Sequence, residues 1–180
     1  MLKVYDMYQK HGVDDYYKKY SNDYYNPHQD KIKDLFIKHL QPLISRNDTI
    51  LDIACGDGLI SRIVNEYCYC NLNNIDGTDP FFNNMYVKMK LSFEDIAMGK
   101  LTKKYNIAIC CYAFHLIKDS WKYDFLTQLA LMTDTFIIIT PSKKITINHN
   151  DWKIEKELRE DKVSLIIIKT IKTIKTIKTN

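Results

Sequence analysis

The sequence lacks the features that mark secreted, metal-bound or membrane-spanning proteins. It has no CxxC pair and no Cys/His ligand spacing, so its five cysteines do not predict a metal site. An odd number of cysteines, mostly in apolar stretches, is typical of buried thiols in a reducing compartment. Neither a signal-peptide-like apolar segment nor an apolar run long enough to cross a bilayer is present. We therefore expect a cytoplasmic protein with no membrane partner and no metal ion.

Glycine is also scarce, with five in 180 residues. Two of them, Gly56 and Gly58, fall within the stretch from Ile50 to Ser61, ILDIACGDGLIS. The β-branched and aliphatic run before them predicts a buried strand over Thr49–Ile53, and the apolar period after them predicts a helix. A strand, a glycine turn and a helix start let a ligand approach the backbone, with free helix N-terminal amides beside it.

Asp52 stands at the carboxyl end of this strand. A fixed carboxylate there repels a pyrophosphate but attracts a positively charged ligand. S-adenosylmethionine is such a ligand, because its methionine half carries an ammonium and a sulfonium. The alternative is a dinucleotide fingerprint, G-x-G-x-x-G, in which Gly56, Gly58 and Ser61 occupy the three glycine positions.

Strand and helix patterns alternate along the rest of the chain. We expect the first helix to start with Asn26 as N-cap and Pro27 at its first position. The following patterns predict a second strand at Asn74–Thr78, a helix at Phe81–Met89, a third strand at Lys90–Phe93, a fourth at Tyr105–Cys111, a helix at Asp119–Met132 and a fifth strand at Thr135–Thr140.

The chain closes with two more apolar patterns, the first around Trp152–Leu158 and the second at Val163–Ile168. The polar turn between them, Arg159 to Lys162, is short. Two strands joined by so few residues must be antiparallel, because a parallel connection needs a crossover. From Ile168, Ile-Lys-Thr repeats four times, and a period of three presents no consistent apolar face. We therefore divide the chain into a helical or lid segment at 1–48, a core at 49–170 and a low-complexity basic tail at 171–180, which we expect to fray after the last strand.

Asp79 follows the second strand, 21 residues beyond Gly58. At that spacing a carboxylate can accept hydrogen bonds from both ribose hydroxyls of an adenosine. The alternative is that Asp79 and Pro80 cap the next helix, and Asp76 takes the ribose role if the strand ends earlier. After the third strand, Glu94 or Asp95 faces an adenine edge beside Phe93, or the two acids form a solvated turn or helix cap.

The stretch around Asp52 resembles motif I of the class I S-adenosylmethionine-dependent methyltransferases, with Ala54 in place of the first glycine. The segments YYNPH, GTDPF, SFEDIA, AFHLI and TPSKK resemble those of a compact, uncharacterised methyltransferase-like family. The resemblance implies a Rossmann-like α/β fold, with a mostly parallel sheet, helices on both faces and a C-terminal antiparallel hairpin. It also implies S-adenosyl-L-methionine as cofactor, with contacts from Asp52, Ala54, Cys55, Gly56, Gly58, Asp79, Pro80, Phe93, Glu94, Asp95 and Cys111.

The methyl acceptor is left open. No [ND]-P-P-[FY] motif, Pro-Cys pair or Lys-Asp-Lys-Glu set is recognisable, which favours a small-molecule or protein acceptor over nucleic acid. His115, after the fourth strand, is the candidate base, although a backbone or capping bond is the alternative. Lys143 and Lys144 are candidate contacts for an anionic acceptor. His28, Tyr24 and Tyr25 are candidates for closing over the site from the N-terminal segment. Asn106 stands where methyltransferases often carry an acid, so a catalytically inactive partner subunit or sensor is a second hypothesis. A nicotinamide-dependent reductase is a remote third.

Overall fold

One seven-stranded sheet organises the computed structural model, which describes residues 12–20, 26–142 and 144–171. The strand order is β3-β2-β1-β4-β5-β7-β6; β1 to β5 are parallel, and β7 is antiparallel to both of its neighbours. The strands are β1 Ile50–Ile53, β2 Ile75–Thr78, β3 Val87–Met89, β4 Ile107–Cys111, β5 Thr135–Thr140, β6 Trp152–Glu160 and β7 Val163–Thr170. The predicted parallel sheet with a terminal antiparallel hairpin is confirmed.

Helices cover both faces of this sheet. In the described residues they are α1 Val13–Tyr20, α2 Gln29–His39, α3 Leu59–Cys68, α4 Phe93–Ala97 and α5 Asp119–Met132. The cluster on one face joins α2 and α3 to alternate residues of the strands, and the cluster on the other joins α4 and α5 to the intervening ones. The central strands are buried on both sides, as continuous aliphatic runs such as TFIIIT require. Each pair of helices therefore packs against one face of the sheet, and the carboxyl edge of the sheet is left uncovered.

The segment between β2 and α4 differs from the prediction. Residues 81–86 form no helix, the third strand is Val87–Met89 rather than Lys90–Phe93, and Phe93 begins α4. Asn84 explains the difference, because its Oδ1 accepts from the backbone N–H of Tyr86 and its Nδ2 donates to the carbonyl of Gly56. A side chain that satisfies local backbone groups competes with helix formation.

Two other boundaries are corrected. Helix α2 begins at Gln29, not Pro27, and Asn26 accepts from the N–H of His28 in the turn before it. The last strand ends at Thr170, not Ile168, because Ile168 and Thr170 are both buried in β7 and the Thr170 hydroxyl donates to Asp134. Residues 172–180, most of the predicted tail, lie outside the described residues, as do Tyr24 and Tyr25 and most of the tyrosine-rich N-terminus.

Candidate cofactor cleft

A cleft of about 720 Å³ opens at the carboxyl edge of the sheet. It lies where β1 pairs with β2 on one side and β4 on the other, the switch point at which open α/β sheets bind ligands. Its size is that of a small-molecule site. The charged groups that line it are mostly acidic: Asp15, Asp52, Asp57, Asp79 and Glu94, against Lys18 and Lys118. This imbalance favours a ligand with positive charge.

The loop after β1 forms the floor of the cleft. Ala54, Gly56 and Gly58 all have positive φ, at 53°, 55° and 83°. Ala54 therefore keeps the left-handed conformation of the glycine that it replaces in the predicted motif. The N–H of Cys55 donates to the carbonyl of Thr78, which fastens the loop to β2.

The two glycines of this loop have different surroundings. Gly56 lines the cleft, and a Cβ there would have only ordinary contact with the Phe82 ring, at 3.7 Å. Gly58 does not line the cleft, because the Tyr86 ring covers it, and a Cβ there would lie 2.2 Å from that ring. Gly58 is thus required by packing and by its position as N-cap of α3.

Asp52 is a buried carboxylate with an incomplete set of partners. Its side chain lines the cleft, and the residue is 1% exposed. Its Oδ2 accepts from the backbone N–H of Ser61 at 3.0 Å and from the Ser61 hydroxyl at 2.7 Å. No cation among the described residues pairs with it, and burial raises its pKa to about 7 in spite of the two Ser61 bonds. A positively charged ligand would supply the missing partner.

Asp79 lines the cleft with both oxygens already engaged. Oδ1 accepts from the N–H groups of Phe81 and Phe82, and Oδ2 accepts from Gly56 at 3.1 Å. These bonds join the ends of β1 and β2, so Asp79 holds a turn rather than capping a helix. A carboxylate has about four acceptor positions, which leaves room for a ribose hydroxyl. Pro80 lines the cleft beside it.

Asp76, the alternative ribose acceptor, does not line the cleft. It accepts from Lys103 at 2.7 Å and from the Tyr105 hydroxyl at 2.9 Å, and Lys88 lies 3.3 Å away. Burial acts to raise its pKa, but these partners outweigh burial and hold the pKa below its usual value. Asp76 therefore has a structural role.

The start of α4 separates the three residues predicted to meet an adenine. Phe93 and Glu94 line the cleft, but Asp95 does not. Asp95 forms a capping box with Ser92 and an ion pair with Lys100, and these partners lower its pKa to about 2. The alternative of a helix cap thus describes Asp95, and Glu94 keeps the position facing the ligand.

The end of β4 supplies Cys111 and Tyr112 to the cleft. Burial and the nearby Asp52 carboxylate raise the pKa of the Cys111 thiol well above its usual value, so this thiol stays protonated. His115, the predicted base, is exposed on the 3₁₀ turn Phe114–Leu116 and does not line the cleft. Its neighbour Phe114 is the residue of this turn that points into the core, at 1% exposed.

An aromatic cluster at the cleft was not anticipated from the sequence. Phe81 and Phe82 line the cleft after β2, and Tyr17 of α1 stacks on Phe81 with ring centroids 5.9 Å apart. Helix α1 thus lies beside the cleft. The position of Tyr17 had no sequence signal, because that contact joins residues more than sixty positions apart.

The five cysteines are free, and no group of His, Cys, Asp or Glu in the described part of the chain is arranged to hold a metal ion. Within the same residues no helix is both long and apolar enough to span a membrane.

Asn106 does not take the place of an acid at the cleft. It lies before β4, and its Oδ1 accepts from the N–H and hydroxyl of Thr49, at the start of β1. This is the amino edge of the sheet, opposite the cleft.

Solved structures share this architecture. The magnesium protoporphyrin IX methyltransferase of Synechocystis PCC 6803 with bound S-adenosylmethionine is 15% identical, has a TM-score of 0.54 and matches 94% of this chain and 98% of its own. The 16S rRNA methyltransferase RmtF in complex with S-adenosyl-L-homocysteine is 9% identical, with a TM-score of 0.59 and coverage of 91% and 72%. This chain has the methyltransferase fold. The ribosomal protein L11 methylase of Lactobacillus delbrueckii subsp. bulgaricus is similar as well, at 12% identity, a TM-score of 0.54 and coverage of 82% and 80%.

Comparisons of the amino-acid sequence support less than the comparisons of structure. No family model matches the chain. An uncharacterized protein of Schizosaccharomyces pombe is 25% identical over 179 aligned positions, which cover 74% of this chain and 72% of that protein. The methyltransferase fold, predicted from motif I and the terminal hairpin, is confirmed by the structures.

Proposed function

We propose that this chain binds S-adenosylmethionine in the cleft and transfers its methyl group to an acceptor. The observation that carries the proposal is Asp52, a buried carboxylate that lines the cleft without a cationic partner among the described residues. The ammonium and sulfonium of S-adenosylmethionine supply positive charge on the half that would lie over Asp52. Phosphate groups of a dinucleotide would face the acids instead, which disfavours a nicotinamide cofactor.

The remaining lining residues suit both halves of the cofactor. Asp79 keeps acceptor capacity for the ribose, and Phe93 and Glu94 offer an apolar wall and an acceptor for the adenine. Ala54, Cys55 and Gly56 present backbone groups to the methionine half, with Pro80 and Cys111 completing the wall. Methyl transfer from a sulfonium is an in-line displacement, in which alignment of the reactants lowers the barrier.

The acceptor is proposed to be a small molecule or a protein. The solved methyltransferases of this fold act, by their names, on a porphyrin, a ribosomal RNA and a ribosomal protein, so fold does not choose among them. The absence of nucleic-acid methyltransferase motifs in the sequence supports the choice.

A second candidate is a cofactor-binding partner or sensor that does not catalyse transfer. The exposed position of His115 outside the cleft favours it, because the predicted base does not face the reacting atoms. Turnover of bound S-adenosylmethionine to S-adenosylhomocysteine with an acceptor distinguishes the two.

Calorimetric titration with S-adenosylmethionine, S-adenosylhomocysteine and NADH tests the cofactor. We expect the two adenosyl ligands to bind and NADH not to bind. Asp52→Asn should weaken S-adenosylmethionine about tenfold or more, because the carboxylate charge is lost while the shape is kept.

Asp57→Asn is the matched control, since Asp57 also lines the cleft but is already paired with Arg62 at 3.0 Å. It should change the affinity much less. Binding of NADH with neither adenosyl ligand, or equal losses in the two variants, would refute the proposed role of Asp52.

A further inference from the structure

Tyr112 occupies an unusual backbone position on the β4 side of the cleft. It follows the last residue of β4, lines the cleft and has φ +58°. This left-handed conformation is unfavourable for a bulky side chain, and such residues concentrate at functional sites. Within the described residues its hydroxyl makes no hydrogen bond. Burial raises its pKa to about 12, so the phenol remains a proton donor at neutral pH.

Arg159 lies near Tyr112 at the same edge of the sheet. The register pairs Arg159 of β6 with Ser164 of β7, and Ser164 with Thr140, the last residue of β5. Arg159 is therefore level with the carboxyl end of β5, the strand beside β4. The N–H of Tyr112 donates to the carbonyl of Ile139 at 2.7 Å, which ties Tyr112 to the same strand end.

The Arg159 guanidinium is held in place by uncharged groups. Nη1 donates to the carbonyl of Ser142 at 2.9 Å and to the hydroxyl of Ser164 at 2.6 Å, and Nη2 donates to the carbonyl of Pro141 at 3.2 Å. No carboxylate of the described residues lies within ion-pair distance of it. These bonds leave Nε–H and one Nη2–H free of protein partners, and a guanidinium uses such N–H groups to hold a planar oxyanion.

The acids that line the cleft and the Arg159 guanidinium lie on different sides of the carboxyl edge, and of the two lysines in the cleft Lys118 lies 3.7 Å from the Glu94 carboxylate. Asp52, Asp79 and Glu94 lie on the β1 to β3 side, where the cofactor is proposed to bind. On the β4 to β6 side, Arg159 is fixed by three hydrogen bonds, and the His28 ring lies 5.7 Å from the Tyr112 ring. Exposed Lys144 follows the Pro141–Ser142 loop, whereas Lys143 lies outside the described residues. This second region suits an anion.

We propose that the methyl acceptor is a small molecule with a carboxylate or phosphate group, which Arg159 binds while the Tyr112 hydroxyl donates a hydrogen bond to the acceptor. The proposal rests on the proposed function, because it places the acceptor between Tyr112, which lines the cleft, and Arg159, which lies outside the cleft lining at the same edge of the sheet. Arg159 is then a specificity-determining residue and Tyr112 an acceptor-contacting one.

The test titrates inorganic phosphate, and separately acetate, into the protein saturated with S-adenosylhomocysteine, followed by NMR chemical shifts. The wild type should bind at least one of the two in the millimolar range, and the tighter one identifies the class of oxyanion. Arg159→Gln should weaken that binding about fivefold or more, and Tyr112→Phe about twofold.

Lys153→Gln is the matched control, because Lys153 is an exposed cation of the same strand β6. It should leave the oxyanion affinity unchanged. Arg159→Lys keeps the charge without the planar fork and should give an intermediate affinity, which also serves if Arg159→Gln folds poorly. No oxyanion binding by the wild type, or equal losses in Arg159→Gln and Lys153→Gln, would overturn the inference.

The same samples separate the two proposals. Calorimetry with S-adenosylhomocysteine should give the same affinity for wild type and Arg159→Gln. If the wild type does not bind S-adenosylhomocysteine, the proposed function fails, and the phosphate and acetate titrations of the unliganded protein then decide whether Arg159 binds oxyanions.

Discussion

Ala54 shows how a single residue can depart from a motif and keep its geometry. With φ 53°, it adopts a conformation that a side chain disfavours by about 1 to 2 kcal/mol. The loop is nevertheless held, because Cys55 and Asp79 both bond across it, to Thr78 and Gly56. The strain is stored beside the cleft, where the methionine half of the cofactor is proposed to lie.

Ala54→Gly should therefore raise the free energy of unfolding by up to about 1 kcal/mol, because glycine relieves the strain but also adds entropy to the unfolded chain. Urea denaturation measures the change. Ala108→Gly, at a fully buried position within β4, is the control and should destabilise the protein. A loss of stability in Ala54→Gly comparable to that of the control would contradict the strain at Ala54.

At the scale of elements, helices and strands were predictable where the apolar residues that become buried follow a local pattern. The unit β1–loop–α3, helix α5 and strand β5 were predicted because their apolar spacing is local and complete. Residues 81–89 have helix-like apolar spacing, yet Phe82 and Tyr86 are used in contacts with the β1 loop instead. No local pattern signals that choice, since the partners lie more than twenty residues away.

The candidate site also contains some residues that the sequence predicts and others that it does not. Asp52, Gly56 and Asp79 could be placed from strand ends and spacing, because the carboxyl ends of parallel strands meet at one edge. Tyr17 and Tyr112 could not, because the first depends on a long-range stacking contact and the second on a backbone conformation. Hairpin register, which brings Arg159 to the same edge of the sheet, was not predictable either.

Strand β7 provides the prediction at this scale. A chain that ends at Ile171 keeps every described strand contact, whereas one that ends at Ile167 loses Ile168, which is fully buried, and the bond from Thr170 to Asp134. We expect the first to unfold at the same urea concentration as the full chain and the second to lose about 2 to 5 kcal/mol. Equal stability of the two shortened chains would mean that the β7 terminus does not contribute to the core.

For the whole molecule, the buried charge of Asp52 links stability to cofactor binding. Its pKa is about 7 in the folded protein and 3.8 in the reference state, so the unfolded chain ionises first as pH rises. Asp52 therefore lowers the stability of the unliganded protein progressively between about pH 4 and 7, and the loss is complete above that range. A cationic ligand that favours the ionised form reverses the effect, because it binds only the folded state.

Asp52→Asn should consequently be more stable than the wild type at pH 8, by about 1 to 3 kcal/mol, with the difference disappearing near pH 4. Thermal unfolding across this pH range measures it. Asp57→Asn is the control and should not be more stable than the wild type at pH 8, because it loses an ion pair with Arg62. Added S-adenosylmethionine should narrow the difference at pH 8, since a ligand at one hundred times its Kd stabilises the wild type by about 2.7 kcal/mol, whereas a variant that binds tenfold more weakly gains about 1.4 kcal/mol. If Asp52→Asn is destabilised at pH 8, then the buried carboxylate has protein partners that satisfy its charge, and the cationic ligand is no longer needed to explain it.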